Sequence, residues 1–260
     1  MKISVITATY NSAATIRDTM ESVLSQSHQD FEHIIVDGAS TDKTLDIVHA
    51  FEPRYAGRIR ILSEPDRGIY DAMNKGVALA TGDVVGLLNS DDFFTSQDIL
   101  SAVAEAMADE TCDAVYGDIH YVNEEDLSKP VRYYSSKIFR PWLIRLGFIP
   151  AHPSFYCRRS CYEALPPTAH GRYFDTSFRV AADFDILLRL IFIQHIRTLY
   201  LPLDFVTMRT GGASSSGINS HRQIMSDHKK SLRQNGVWSC TPLLGMRYLY
   251  KLTEFIKLHK

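Results

Sequence analysis

The sequence predicts an α/β protein: a doubly wound, mostly parallel sheet flanked by helices, with a helical extension at the C-terminal end. Three observations predict it. Short β-branched runs alternate with amphipathic stretches through the first third of the chain. Each run is apolar on both faces, as a buried parallel strand is. Each also stops abruptly in polar or acidic residues, where the loops of an open α/β sheet gather.

Ile3-Ser4-Val5-Ile6-Thr7-Ala8 is the first such run. Tyr10-Asn11-Ser12 ends it, with Asn11 or Ser12 placed to cap a helix whose apolar stripe is Ile16, Met20, Val23 and Leu24. Glu32-His33-Ile34-Ile35-Val36 is the second strand, running into Asp37-Gly38-Ala39-Ser40-Thr41-Asp42, and Leu45, Val48 and Phe51 mark the next helix. Arg60-Ile61-Leu62 makes a short third strand, followed by a helix that starts just after Gly68 and carries Ile69, Ala72, Met73, Gly76 and Val77. Asp83-Val84-Val85-Gly86-Leu87-Leu88 is the fourth, and it breaks at Asn89-Ser90-Asp91-Asp92. Beyond Phe93 the pattern loosens: 114–116 and 119–122 read as two strands, and 181–193 as a helix. Thr7, Thr9, Asp37, Asp66, Asp91 and Asp92 therefore collect at strand ends and are expected to share one cleft.

Composition narrows the classes. The 260 residues carry 28 basic and 30 acidic side chains, a net charge of −2, and 45% of them are hydrophobic. A nucleic-acid binder shows a basic excess, which is absent here. Cys112, Cys157, Cys161 and Cys240 have no second pair at zinc-site spacing and read as reduced thiols. The apolar start is too short for a signal peptide, and no stretch approaches the roughly 20 residues that span a bilayer. The expected location is cytoplasmic, with contact at the inner face of the cell membrane left open by the C-terminal end.

The sharpest chemical signal is Asp91-Asp92 at the end of a buried strand. Two adjacent carboxylates there are costly unless a cation meets them. Mg²⁺ or Mn²⁺, which takes one or two carboxylates together with phosphate oxygens, fits. The competing reading is that one of the pair caps a helix starting near Ser96-Gln97.

With these motifs in order, the chain resembles family 2 glycosyltransferases of GT-A fold over nearly its whole length. The family's opening signature is similar to Ile3–Asn11, with Thr7, Thr9 and Tyr10 on the donor side. The resemblance implies that Asp37 contacts uridine, that Asp92 ligates the divalent ion, and that Asp91 meets the donor's ribose or sugar. Ala182-Asp183-Phe184-Asp185, followed by Leu187-Leu188-Arg189, resembles the helix that carries the base, which maps to Asp183. Two departures stand out: Ala182 replaces a frequent glutamate, and Ala72-Met73-Asn74 replaces Ala-Arg-Asn, which leaves Arg67, Lys75 and Asn74 beside Asp66 to serve the donor. The segment 64–76 looks like that of a subgroup acting in bacterial surface-polysaccharide assembly of the colanic-acid type. The implied reaction is inverting transfer from a nucleotide-diphospho-sugar, UDP-linked first of all, to a glycan or lipid-linked acceptor.

The chemistry also stands without the family. A departing nucleoside diphosphate concentrates negative charge, which a divalent ion offsets, while a carboxylate takes the acceptor's proton. Asp183 suits that base. Asp185 lies about 200° around a helix from it, so only one of the two faces the cleft, and Asp185 reads as solvated or paired with Arg189. His152, held between Pro150 and Pro153, and Arg209 are expected on the acceptor side. The Gly- and Ser-rich stretch 209–217 is expected to be a mobile lid over the donor or a linker. At the end of the chain, Leu244, Tyr248, Leu249, Leu252, Phe255 and Ile256 share a helical face, with Arg247, Lys251 and Lys257 away from it. Such a helix can lie in a membrane interface or pack back on its own domain.

The expected organisation is a glycosyltransferase domain over 1–210, its nucleotide-binding half about 1–95 and its acceptor-side half about 96–210, then 211–260 as lid or linker plus helices. Two rivals are weighed. A nucleotidyltransferase needs a basic, glycine-rich loop after its first strand, and Thr9-Tyr10-Asn11-Ser12 is not one. A non-catalytic nucleotide-sugar-binding assembly protein would not need Asp92 and Asp183 together.

Overall fold

The computed structural model describes residues 1–211 and 217–256, with side chains over 1–211 and 221–248. Its first half follows the alternation in the sequence: β1 (Ile3–Thr9), α1 (Ile16–Leu24), β2 (Phe31–Asp37), α2 (Thr44–Tyr55), β3 (Ile59–Ser63), α3 (Ile69–Leu79) and β4 (Val84–Leu87). These four strands are parallel, in the order β3-β2-β1-β4. Alternate residues of β1 serve two cores: Ile6 and Ala8 join one with α3, while Ile3 and Val5 join the other with α1 and α2. That is why the run is apolar throughout.

The sheet continues through β5 (Phe93–Phe94), β6 (Ala114–Asn123), β7 (Asp126–Tyr134), β8 (Tyr156–Arg158) and β9 (Thr198–Arg209), now with antiparallel neighbours among the pairs. α4 (Ile99–Ala106) and α5 (Arg159–Ala164) lie between them. The two strands expected at 114–116 and 119–122 are one, β6, whose pairing with β9 slips around Asp118. Gly117 allows that slip, because a Cβ there would sit 2.3 Å from the Phe205 ring.

Neither the expected cap at Asn11 or Ser12 nor the competing cap reading of the acidic pair holds. Asn11 adopts a left-handed conformation (φ 50°) and its Oδ1 accepts the Thr41 N–H at 2.9 Å, so it clasps the loop after β2 while α1 starts later. The helix after the acidic pair begins at Ile99 behind Asp98, too far along for Asp91 or Asp92 to cap it. The predicted helix 181–193 begins as α6 (Ala182–Leu187) and widens into a π-helical stretch, Leu188–Ile193, closed by Gln194 N–H donating to the Arg189 carbonyl at 2.9 Å. All four cysteines are free thiols.

α7 (Gly217–Gln234) and α8 (Thr241–Ile256) complete the chain. α7 lies on α6: Ser231 Oγ donates to Asp185 Oδ1 at 2.7 Å, and His228 stacks on Phe184 with centroids 3.8 Å apart. Leu232, Val237 and Leu244 enter the same core as α6, so the start of α8 packs back on the domain. Leu249, Leu252, Phe255, Ile256, Lys251 and Lys257 have side chains outside the described residues.

Two buried acids tie this frame together. Burial pushes the Glu32 carboxyl up, but hydrogen bonds from Ser4, Thr81 and Lys2 bring it down to about 2. A depressed carboxylate stabilises the fold above its unfolded pKa near 4.5 and loses that contribution as pH falls toward 2. Glu32→Gln should therefore lower stability at pH 7 by about 2–3 kcal/mol and flatten the decline between pH 5 and 2, read by urea denaturation across pH. Asp185, 3% exposed, holds Arg189 at 2.9 Å and also accepts from Ser231 and Asn235. Asp185→Ala strips these donors of their acceptor, and the expected loss is about 3–5 kcal/mol, with Asp185→Asn losing less. Unchanged denaturation midpoints would show that the pair contributes nothing.

Candidate active site

The parallel register sets the rim. Thr9 lies opposite Asp37, and Asp37 opposite Ser63. Asp37 is fully buried, and its carboxylate accepts the Ser40 N–H at 3.0 Å, Ser63 Oγ at 2.7 Å and a short bond from Ser40 Oγ. Gly38 then brings the β3–α3 loop close, since a Cβ there would be 2.5 Å from Asp66 Oδ2. Thr9 Oγ1 is buried without a partner, and Tyr10 is exposed at the rim. Thr7 lies below the rim: its hydroxyl is 2.9 Å from Nε2 of His33, a ring held neutral by burial, with a pKa lowered to about 3.

The neighbouring loop divides its polar groups. Arg67 points outward beside Asp71. Lys75 Nζ meets Glu64 at 2.9 Å and the Pro65 carbonyl at 3.0 Å. The Asn74 amide clasps a distant loop, donating to the Phe174 carbonyl at 2.8 Å and accepting the N–H groups of Tyr173 and Phe174. Its side chain is thus engaged with protein backbone.

The acidic turn is gripped from two sides. Thr19 Oγ1 of α1 donates to the Asp92 carbonyl at 2.7 Å, and Arg209 Nη1 at the end of β9 donates to the Asp91 carbonyl at 2.5 Å. The other Arg209 nitrogen pairs with Asp18. Arg209 therefore stands with the acidic turn, apart from His152, and it is buried by pairing β9 against β5. Asp92 is fully buried: Oδ2 accepts the Asn89 amide at 3.1 Å, while Oδ1 has no partner. Burial, then the neighbouring Asp91 charge, pushes its pKa well up, and burial raises Asp91 as well. An unpartnered buried oxygen beside a second carboxylate is a donor set that suits a hard divalent cation.

The third group forms around α6. Asp183 is half-buried; burial holds its carboxyl up at about 6, against the Phe184 N–H it accepts at 2.8 Å and the charge of Arg247. Asp185 points the other way, into its pair with Arg189. Tyr70 lies against this acid: burial first, then the Asp183 charge, raises its phenol. Its ring stacks on Phe174 at 6.2 Å, and the His152 ring meets Phe174 edge-on at 6.0 Å. Burial lowers the His152 pKa to about 4, and its Nε2 has no partner. Asp183, Tyr70, Phe174 and His152 thus form one cluster. Residues 212–216 of the expected lid lie outside the described residues.

Sequence reasoning missed Tyr70, Asp227 and Arg247. Asp227 and Arg247 act electrostatically on Asp183 from α7 and α8. No local pattern marks them; only the packing of α7 and α8 against the rest of the domain brings them near.

Residues 4–165 match the description "Glycosyl transferase family 2". The PGL/p-HBAD biosynthesis glycosyltransferase of Mycobacterium bovis is 33% identical over 218 residues, covering 83% of this chain and 79% of the relative. Among solved structures, S. aureus TarS 1-349 superposes with a TM-score of 0.66 at 18% identity, over 100% of this chain and 72% of that one. Further TarS structures are complexes with UDP and with UDP-GlcNAc. The mannosyltransferase PcManGT of Pyrobaculum calidifontis, in complex with GDP-Man and Mn²⁺, superposes at 0.66 with 20% identity over 99% of this chain and 68% of that one. At those identities the two structures speak for the fold, and it is the GT-A fold. The family match and the 33% identity across most of the sequence establish the rest: the chain belongs to glycosyl transferase family 2.

Proposed function

We propose that this chain is an inverting glycosyltransferase that moves a hexose from a nucleotide-diphospho-sugar to a sugar or lipid-linked oligosaccharide in polysaccharide assembly. The observation that carries this reading is Asp92, fully buried at a strand end with one oxygen unbonded. A core carboxylate would have found a partner, as Glu32 and Asp185 do.

Mn²⁺ or Mg²⁺ held at Asp92, with Asp91 beside it, would offset the charge that develops on the departing diphosphate. The chain's own groups do the remainder. Asp37, Thr9, Tyr10 and Asp66 border the end of the cleft that would take the nucleoside. Arg209 and Thr19 fix the acidic turn in place. The acceptor hydroxyl attacks the anomeric carbon from the side opposite the diphosphate, and the carbon–oxygen bond to phosphate breaks as the new bond forms. The hydroxyl proton passes to the Asp183 carboxylate, and one displacement inverts the configuration. The UDP complexes of TarS and the GDP-Man and Mn²⁺ complex of PcManGT support a nucleotide-sugar donor and a divalent ion, and they make guanosine the nucleotide to test against uridine. The M. bovis relative, named a PGL/p-HBAD biosynthesis glycosyltransferase, supports a biosynthetic glycosyl transfer. In this reading residues 1–210 carry the machinery, and α7 with the start of α8 buttresses α6. A lipid-linked acceptor would bring the chain to the inner face of a membrane as a peripheral contact; among the described residues no helix is long and apolar enough to cross one.

Two measurements test this. Titration calorimetry with UDP and with GDP should show binding in Mn²⁺, little in EDTA, and a loss of at least about tenfold in Asp92→Asn. Equal affinity with and without the ion would remove the metal from the site. For the base, Asp183→Asn should keep nucleotide affinity and lose about 10²-fold or more in transfer. Only the carboxylate form accepts a proton, so wild-type kcat/KM should rise through a pKa near 6 and level off above it. An acid limb that persists unchanged in Asp183→Asn would assign the base elsewhere.

A further inference from the structure

Between the first turn of α3 and the loop leading into α6 lies a cavity of about 310 Å³, whose lining includes Arg67, Tyr70, Thr176, Phe178 and Arg179. Two arginines supply the charge of its lining, while the carboxylates of Asp183 and Asp227 act on its Tyr70 wall. Arg179 is exposed and makes no ion pair among the described residues. The Arg67 side chain is 81% exposed and reaches only Asp71, at 3.5 Å. Lys230 comes from α7 behind the same loop, with Nζ 2.7 Å from Ser177 Oγ and over the Phe178 ring. Apart from Asp183, the proposed base, the nearby carboxylates are already engaged; Asp227 accepts the Val180 N–H and the Gln223 amide. Asp71 accepts the Arg67 N–H and lies 3.9 Å from Lys75. Asp66 accepts the Gly68 N–H at 2.8 Å. Asp175, 5% exposed, accepts the N–H and hydroxyl of Ser177.

The cavity also adjoins the reacting centre. Tyr70 forms part of its wall and feels the charge of Asp183. Residues 176–179 run directly into the first turn of α6, which carries Asp183. The donor's diphosphate has its own place, at the acidic turn, so cations beside the base are available to the other substrate. Planar guanidinium groups suit oxyanions, which they bind in a bidentate fork.

We infer that this cavity is an anion subsite for the acceptor. The acceptor carries a phosphate or a carboxylate that Arg179 receives, with Arg67 opposite, while its attacking hydroxyl lies at Asp183. The inference rests on the reading of Asp183 as the base. It narrows the acceptor class to sugars or carrier headgroups bearing phosphate, or to uronic-acid glycans.

The test uses the full chain saturated with UDP and Mg²⁺, so that the nucleotide site is filled with its own diphosphate. Glycerol 1-phosphate, methyl glucuronoside and neutral methyl glucoside are titrated by calorimetry. One anion should bind once per chain at least tenfold more tightly than the neutral glycoside. Arg179→Gln should lose that preference while keeping UDP affinity and melting temperature. Tighter glycerol phosphate marks a phosphate-bearing acceptor, and tighter glucuronoside a uronate; either supports the inference. Equal binding of the neutral glycoside, no binding of any probe, or indifference to Arg179→Gln overturns it. Competition between the anion and UDP also overturns it, by giving the cavity to the donor. If UDP itself fails to bind while an Arg179-dependent anion site persists, the nucleotide-sugar reading falls and the anion site stands.

Discussion

A carboxylate removed from water must find hydrogen bonds, a cation or a proton, and Asp92 has been left with too little of any. Its backbone is locked by Thr19 on one side and its turn by Arg209 on the other, so it cannot swing out to solvent. Asn89 donates to one oxygen, the other has no hydrogen-bond partner, and Arg209 offsets the effect of burial only in part. Several features of the fold maintain this condition. α1 supplies the threonine, β9 crosses to β5 to supply the arginine, and Asp18 anchors that arginine from behind. Without a ligand the acid is driven toward its neutral form, and a cation would reverse that. The turn is a rigid frame around a group that needs something from outside the chain.

The acids of this protein sort by how completely they are answered. Glu32 collects bonds from Ser4, Thr81 and Gly82 as well as Lys2, and Asp185 has Arg189, Ser231 and Asn235. These two hold the scaffold. Asp37 is intermediate in kind: three bonds from Ser40 and Ser63 fix its orientation at a strand end. Asp92 and Asp183 lack such answers, and both have pKa values raised chiefly by burial. Perturbation by desolvation without compensation is what separates a reactive acid from a structural one. On that criterion Asp92 and Asp183 stand with Asp91 among the acids whose ionisation burial opposes.

The parallel half of the fold was legible because each strand serves two cores, which forces continuous apolar runs that a reader can count. The acidic turn was legible for the opposite reason, since Asp91-Asp92 contradicts the burial around it. Other features were invisible for physical reasons. Asn11 looked like a cap because caps and left-handed turns use the same side chain. Asn74 looked like a donor contact, yet its amide is matched to backbone groups about a hundred residues on, and no spacing reveals that. Arg209 was expected on the acceptor side, whereas antiparallel pairing of β9 with the two-residue β5 carries it to the acidic turn. Gly117 conceals a bulge that merges two expected strands into one.

The surroundings of Asp183 come from the part of the chain with least motif content. Asp227 on α7 opposes ionisation of Asp183 and Arg247 on α8 favours it. Asp227 is itself fixed by the Val180 N–H, just before α6, and by Gln223. His228, stacked on Phe184, is held neutral by burial and by Arg247, and adds no charge of its own. The two formal charges therefore pull in opposite directions, and desolvation is left as the leading influence on Asp183. On the proposed role of Asp183, an acceptor seated against Tyr70 would displace water from the half-buried carboxylate, deepen the same desolvation and strengthen the acid as a proton acceptor. That proposal would make substrate binding part of the tuning, within a frame where Asp227 on α7 and Arg247 on α8 act in opposite directions.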